Sequence, residues 1–338
     1  MALLHSCASA QRILAVCISS AMPILVSAAT EFEMMVERAK KNPAALVKLN
    51  EYGSFIQAVS GPFSLPGVTS ATFQASRGVA LGDGDFTRIA LPLSYSFERL
   101  TFSGMTPYTE LTLSYTDQEQ NELWMSATSL EMMVRHKVQT ASIMSGIGAG
   151  FELREGLVIR PIILLGWSRI KDDSQPTTDV GRTFQDAVGS NLFDWTVEQY
   201  QFGPAIEVEH KTNIGNDIHV LSGIRATRLH IRTLSTSTPG LEASNQFTSI
   251  SGNMEIDGPT AISLFERDMR WQTFLAASAF DKDTSRALSF DWLGEAGAGI
   301  IFMIRERHTS TVEGIGLKGS AIIGDGIDGW ALGLYATF

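Results

Sequence analysis

The chain has 338 residues, of which 26 are lysine or arginine and 36 are aspartate or glutamate, giving a formal net charge of −10. An acidic protein lacks the basic surface that neutralises nucleic-acid phosphates, so we expect no nucleic-acid function. Outside the N-terminus, no apolar run reaches the roughly 18 residues of a membrane-spanning helix. The mean hydropathy of +0.07 still fits a transmembrane β-barrel, because only every second residue of its strands faces lipid.

The N-terminus has the features of a secretory signal peptide. Arg12 closes a short basic region, Ile13 to Val26 is mostly apolar, and small residues precede a cleavage site after position 28. Removal of residues 1–28 takes away Arg12 and no acidic residue, which leaves 25 basic and 36 acidic residues and a net charge of −11. Both cysteines, Cys7 and Cys17, are lost in the same step, and with them any disulfide or thiolate chemistry.

The exported chain begins with a predicted amphipathic helix and a linker, which together form residues 29–67. The helix spans Thr30 to Tyr52, where Thr30 and Glu33 form a capping box and Asn42-Pro43 interrupts the pattern. Gly53 to Gly67 is a linker rich in glycine, serine and proline. Two interpretations of the helix stay open: an amphipathic segment in the periplasm, or a helix inside the lumen of a barrel.

Residues 68–338 follow a period of two that predicts strands. Polar residues at inward positions favour a membrane barrel over a soluble sandwich, whose inner faces are both apolar. We therefore predict an all-β, transmembrane, antiparallel up-and-down β-barrel of about 12 strands. The predicted strands are Arg88–Glu98, Tyr108–Tyr115, Glu122–Val134, Thr140–Leu153, Leu157–Ser168, Trp195–Glu209, Asp217–Thr233, Gln246–Ile256, Trp271–Ala279, Ala296–Ile304, Thr311–Ile323 and Ile327–Phe338, with Ser70–Val79 as one further candidate.

Connections between the predicted strands alternate in length, as they do in outer-membrane barrels, where short turns face the periplasm. Short turns are predicted at Arg154–Gly156, Thr212–Asn216 and Asp257–Thr260, and longer loops at Lys171–Asp194 and Ser235–Ser244.

One group of residues supports the barrel prediction and another argues against it. An aromatic girdle near the outer rim supports it, with the members Trp167, Trp195, Trp292 and Trp330. Prolines inside proposed strands count against it, because each removes a donor from the strand ladder; they are Pro92, Pro161 and Pro204.

Charged or polar side chains at inward positions are the candidate functional residues. The lumen-facing candidates are Arg88, Glu110, Glu152, Arg160, Glu207, His219 and Arg225. Of these, His219, Arg225 and Glu207 could form an acid/base set, although charged residues that line a lumen are more often paired or solvated. No histidine stands beside a serine in a hydrolase pattern, and no histidine cluster indicates a metal. We therefore expect no catalytic site, no cofactor and no metal.

The last strand, Ile327 to Phe338, ends on an aromatic residue and is long enough to cross a bilayer. It resembles the terminal strand of bacterial outer-membrane barrels. That resemblance implies a signal for the barrel-assembly machinery, formed by Trp330, Leu332, Leu334 and Phe338. An edge strand of a soluble sandwich has the same period and is the alternative.

The order of signal peptide, helix, linker and strands resembles the translocator unit of autotransporters. Because little sequence separates the cleavage site from the strands, the chain resembles a solitary translocator barrel without a passenger. This implies an integral protein of the Gram-negative outer membrane with a structural or passive-pore role. The implied partners are outer-membrane lipid and, during biogenesis, the barrel-assembly machinery and periplasmic chaperones. The alternatives are a small diffusion porin or transporter with an open polar lumen, and an outer-membrane hydrolase.

Overall fold

A computed structural model describes residues 30, 32–38, 40–41, 68–75, 84–127, 130–188, 193–215, 217–238, 240–264, 267–288, 290–304 and 314–337. Several predictions fall outside these residues. They are the signal peptide, the break at Asn42-Pro43, the linker Gly53 to Gly67, and Phe338 in the proposed assembly signal.

The described strands form one antiparallel sheet of 13 strands. One of them, β6 (Gln175–Pro176), has only 2 residues and pairs with β4 outside the ring, so 13 minus 1 leaves 12 barrel strands. These are β1 (Val68–Ala75), β2 (Gly84–Ser96), β3 (Met105–Ala127), β4 (Leu130–Arg154), β5 (Leu157–Asp172), β7 (Thr196–Ile214), β8 (Ile218–Thr236), β9 (Ser244–Leu264), β10 (Arg267–Phe280), β11 (Trp292–Met303), β12 (Gly314–Gly324) and β13 (Ile327–Thr337).

The sheet closes on itself through the pairing of its first and last strands. Val68 of β1 lies opposite Leu334 of β13, and the other side of β1 pairs with β2. Each remaining barrel strand pairs with its neighbours in sequence, including β3 with β4. In lipid, strands satisfy their backbone hydrogen bonds only in a closed ring. The predicted up-and-down β-barrel of about 12 strands is confirmed.

Two errors in the predicted strands cancel in the strand count. The segment Glu122–Val134, predicted as one strand, contains the end of β3 and the start of β4, which pair as far as Ala127 and Leu130. The methionines and leucines of this segment fit a continuous strand, so the pattern does not indicate that the chain reverses there. The candidate Ser70–Val79 overlaps β1, which supplies the twelfth strand.

The turn predicted at Asp257–Thr260 is wrong, because these residues lie inside β9. Asp257 pairs with His219 of β8 on one side and with Gln272 of β10 on the other. Gly258 serves close packing: a Cβ atom there would lie 2.7 Å from the Trp271 ring. Tertiary pairing therefore overrides a local Asp-Gly turn signal.

The prolines that argued against a barrel do lie inside strands, but at points where pairing is incomplete. Pro92 lies beyond Ala90, the last residue of β2 that pairs with β1. Pro161 falls in a break of the β4–β5 ladder, and Pro204 falls in a break of the β7–β8 ladder. Each missing N–H donor therefore coincides with a gap in one ladder.

Burial alternates along the strands and separates the lumen from the outer wall. In β5, Ile162 and Leu164 are each 2% exposed, whereas Ile163 and Leu165 are 61% and 58% exposed. An outward row of exposed apolar side chains is the surface that faces lipid in membrane barrels.

The predicted aromatic girdle is only partly observed. Trp330 and Trp292 are 55% and 43% exposed, and Trp167 shares the outward face of β5. Trp195, however, is 1% exposed and belongs to the interior apolar cluster. It precedes β7 inside a connection, so the strand period that we applied to it does not hold there.

The two ends of the barrel differ. One end, here called the loop end, carries two helices that the sequence analysis missed: α2 (Asp179–Val188) between β5 and β7, and α3 (Lys282–Leu288) between β10 and β11. At the other end, the terminal end, β1 begins and β13 ends. Asp281 caps α3 by accepting the N–H of Thr284 at 2.9 Å. Partial burial acts to raise the pKa of Asp281, but the hydrogen bonds from Thr284 hold it below its ordinary value.

The N-terminal helix α1 is described at residues 30, 32–38 and 40–41. The ring of Phe32 in α1 meets the ring of Phe184 in α2 edge-on, with 6.1 Å between their centroids. Therefore α1 lies at the loop end, whereas β1 begins at the terminal end. This position favours the lumen interpretation of the helix over the periplasmic one. No helix in the described part of the chain is long and apolar enough to cross a membrane.

Gly203 of β7 offers a test of the close strand packing. A Cβ atom on Gly203 would lie 1.9 Å from the carbonyl oxygen of Arg228 in β8. We expect Gly203→Ala to lower the free energy of unfolding by about 1–3 kcal/mol, because the clashing atom belongs to the backbone. The control is Gly319→Ala, where the nearest atom would be an ordinary 3.5 Å away. Equal urea midpoints for the two refolded variants would contradict the close approach.

Candidate functional site in the barrel lumen

An ion pair bridges two walls of the lumen. Arg225 of β8 donates two hydrogen bonds to Glu110 of β3, from Nη2 to Oε1 at 2.6 Å and from Nη1 to Oε2 at 2.8 Å. In the sheet, β4, β5 and β7 separate these two strands. The pair therefore joins strands that share no backbone hydrogen bond, and its bidentate geometry fixes both side chains.

The bridge continues into a chain of alternating charges, here called the lumen network, which consists of Glu110, Arg225, Glu207, Arg160 and Glu209. Glu207 of β7 accepts hydrogen bonds from Arg225 Nη1 at 3.4 Å and from Arg160 Nη1 at 2.7 Å. Arg160 of β5 also donates to Glu209 at 2.9 Å. Every member is thus held by an opposite charge, which is the condition under which buried ions are tolerated.

Neighbouring residues create the space for this network. The ring of Tyr108 lies 5.2 Å from the guanidinium of Arg160, and its hydroxyl donates to Glu110 at 2.9 Å. On β4, Gly146 lies beside Glu110, where a Cβ atom would come within 2.5 Å of Glu110 Cγ. A larger residue at 146 would displace Glu110 from the bridge.

The other predicted lumen residues lie away from the network. Arg88 is 7% exposed on β2, within electrostatic range of Lys318 on β12 and Glu295 on β11, which follow β2 round the ring beyond β1 and β13. The ammonium group of Lys318 also lies 5.5 Å from the ring centroid of Phe274. Glu152 is exposed at the end of β4, where it accepts the N–H of Gly156 at 3.3 Å. It therefore supports the β4–β5 turn.

His219 belongs to a third cluster, at the terminal end of the barrel. Arg270 of β10 donates to Asp257 Oδ1 at 2.6 Å and to the carbonyl of Asp217 at 2.6 Å. His219 Nδ1 lies 3.0 Å from Arg270 Nη2 and 3.2 Å from Asp257 Oδ1. The predicted acid/base set of His219, Arg225 and Glu207 is thus divided between two clusters, because Arg225 and Glu207 pair in the lumen network.

Sequence reasoning missed several residues that complete these clusters. Tyr108 and Glu209 share the inward period of Glu110 and Glu207; the pattern places Glu209 on the inward face, but neither residue was included among the candidates. Asp257 was lost to the predicted turn, and Arg270 lies one position before the outward Trp271. No group of histidine, cysteine, aspartate or glutamate within the described residues is arranged to hold a metal ion.

An apolar cluster fills the interior near the loop end. Phe184 of α2 meets Phe193 edge-on at 6.2 Å and also contacts Phe32 of α1. Phe184, Phe193 and Trp195 are 0%, 2% and 1% exposed. A second aromatic group lies beside the connection that carries α3. It consists of Phe280 at the end of β10, Phe290 after α3 and Phe247 of β9. Together with the lumen network, this cluster divides the interior into a polar layer and an apolar layer nearer the loops.

The bridge between β3 and β8 makes a prediction about stability. We expect Arg225→Met to lower the free energy of unfolding by about 3 kcal/mol, since it leaves Glu110 without its guanidinium partner. Glu110→Gln should cost less, because Arg225 keeps Glu207. Urea unfolding of the refolded protein, followed by tryptophan fluorescence, measures both. The control is Arg154→Met, an exposed arginine at the end of β4; a loss as large as that of Arg225→Met would contradict the bridge.

Solved structures match this chain in fold. No protein-family model and no curated protein matches the sequence. The transport unit of the autotransporter AIDA-I from Escherichia coli aligns with a TM-score of 0.50 and 8% identity, over 86% of this chain and 97% of its own. The translocator domain of the autotransporter NalP from Neisseria meningitidis aligns at 12% identity and a TM-score of 0.45, over 89% of this chain and 99% of its own.

The β domain of the Bordetella autotransporter BrkA is similar at 14% identity, with a TM-score of 0.48 over 80% of this chain and 97% of that domain. The likeness to the AIDA-I unit concerns the fold alone. The chain has the fold of an outer-membrane β-barrel, built like the translocator domain of an autotransporter.

Proposed function

We propose that the protein is an integral outer-membrane barrel with a closed lumen and a structural role. The observation that carries the proposal is the bidentate pair of Arg225 and Glu110, which joins two walls of the lumen. An open pore keeps charged walls apart and hydrated, whereas here both side chains are only 14% and 13% exposed. Opening this layer would break several charge-assisted hydrogen bonds at once.

The apolar cluster at the loop end supports the same proposal. Phe32, Met35 and Val36 of α1 pack against buried residues of that cluster. In this proposal α1 and α2 close the end of the barrel that carries the long loops, and the lumen network closes its middle. The expectation that no passenger precedes the barrel stays a prediction.

The location and partners follow from the same proposal. The belt of exposed apolar residues contacts outer-membrane lipid. On the outward face of β13, Trp330, Leu332 and Leu334 are 55%, 55% and 56% exposed, which leaves them accessible to an assembly machinery before insertion. Periplasmic chaperones would bind the same apolar surface earlier. We also propose that the barrel is not an enzyme, because the charged groups of the lumen network are engaged with one another.

A small diffusion porin is the second candidate, favoured by the charged residues along the inner wall. Both layers would then have to move aside. Glu110 and Arg225 would lose their contact in the open state, which makes conductance the property that separates the two candidates.

Single-channel recording in planar bilayers tests the closed lumen. We expect no stable conductance for the full protein, and only small conductance after deletion of residues 29–61, because the lumen network stays in place. The deletion combined with Glu110→Gln and Arg225→Gln should give a larger, stable pore. Heat-modifiable migration on SDS gels checks that each variant folds. Steady conductance of the full protein at the level of the combined variant would contradict the proposal and favour the porin.

A further inference from the structure

Basic residues are distributed unevenly over the outer wall. Four exposed cations lie toward the loop end on β5 and β8, and they are named here the basic patch: Arg169, Lys171, Arg228 and Arg232. Strands β1, β3, β9, β11 and β13 contain no lysine or arginine. The basic residues of β2 and β12, Arg88 and Lys318, are buried at 7% and 5% exposure. On β4, the strand next to β5, the exposed Arg135 also lies toward the loop end, but it pairs with Glu119 of β3 at 3.3 Å. The four cations of the patch therefore belong to one sector of the ring, which reaches from β4 to β8.

The basic patch begins where the apolar belt ends. On β5, the outward series runs from Ile163 and Leu165 through Trp167 to the two cations. On β8, Ile224 is 63% exposed, and the next outward positions after Ala226 are basic. Interfacial tryptophan followed by cations marks the depth at which acyl chains give way to headgroups.

Strand β7 lies between β5 and β8 and gives the patch an aromatic centre. Tyr200 pairs with Trp167 on one side and with Arg232 on the other. Phe202 stacks on Tyr200 at 6.1 Å and on His230 at 5.2 Å. The two pairs of cations are thus two strand spacings apart, about 10 Å, with rings between them. Such a surface offers apolar contact at its centre and positive charge on both sides.

Little negative charge balances the patch. Within the described part of the chain, none of the four cations forms a salt bridge with a carboxylate. Arg228 donates to Gln246 at 2.8 Å, and its charge contributes to the lowered pKa of Asp281 in the loop before α3. Glu198 of β7 lies opposite Arg169 and accepts a hydrogen bond from Ser235 at 3.0 Å. The four cations therefore lie near two carboxylates, Glu198 and Asp281, and form a salt bridge with neither in the described part of the chain.

We propose that the basic patch binds the phosphate groups of a phosphorylated glycolipid in the outer leaflet around the barrel. This rests on the proposed outer-membrane location. Arginine forks and lysine ammonium groups are the side chains that bind phosphate best. The adjoining apolar belt contacts the acyl chains of the same lipid, so one molecule engages both surfaces.

Lipid titration of the refolded full protein in uncharged detergent tests the proposal. The probe is diphosphorylated lipid A, followed by native mass spectrometry, with dephosphorylated lipid A beside it. The variants are Arg169→Gln with Lys171→Gln, and Arg228→Gln with Arg232→Gln. The matched control is Arg154→Gln with Arg267→Gln, two exposed cations at the terminal end. We expect about fivefold weaker lipid A binding for each patch residue removed and less than twofold change in the control.

Three outcomes would overturn the proposal: equal lipid A binding by the patch variants and the control, equal binding of phosphorylated and dephosphorylated lipid by the wild type, or displacement of the lipid by inorganic phosphate at matched ionic strength. The last outcome indicates a site for a free anion. The patch variants should keep the wild-type conductance and heat-modifiable migration. A conducting wild type with normal lipid binding would reject the closed lumen and leave the lipid site intact.

Discussion

The need to pair every backbone group in lipid is the constraint on which this structure depends. The chain meets this constraint with a closed ring, in which the shortest strand completes the pairing. Strand β1 has 8 residues, yet it pairs along its whole length with β13 and from Thr69 to Ala75 with β2. Without it, β2 and β13 would each present an open edge to hydrocarbon. The closing strand therefore determines whether the other eleven form a membrane protein at all, although its own sequence signal is among the weakest in the chain.

Closure also determines what the interior must contain. Once the ring is complete, every second side chain points into a confined space, where an unpaired charge is costly. The chain meets this with ion pairs between adjacent strands, such as Arg160 with Glu207, and with one pair between strands that are not neighbours. Glu110 and Arg225 are 115 positions apart, and Gly146 leaves the room that Glu110 needs. The Glu110–Arg225 pair of the lumen network thus acts as a cross-link inside the ring, and in the proposed function the same contacts close the lumen.

The fold could be predicted from the sequence further than the site could. The period of two gave the faces of β5 and β7 correctly, because lipid on one side and a polar lumen on the other sort the residues. It failed at Glu122–Val134, where the β3–β4 hairpin reverses among methionines and leucines, and at Asp257, where pairing on both sides overrides a turn signal. The three prolines were misjudged because the gap that tolerates each one depends on the partner strand. Sequence alone does not show that register.

For the charged residues too, the period of two predicts which face a side chain occupies but not which residue it pairs with. The period predicted that Arg160, Glu207 and Arg225 face inward, but the identity of their partners follows from the sheet order, which joins β3 to β8 across three intervening strands. The same period separates Arg225 from Arg228: three positions apart on β8, they point to opposite faces. Inside the ring, an arginine is retained because a carboxylate on another wall neutralises it. On the outer wall, none of the four patch cations forms a salt bridge within the described part of the chain, so they are stable there only at the depth where water or a phosphate group can neutralise them.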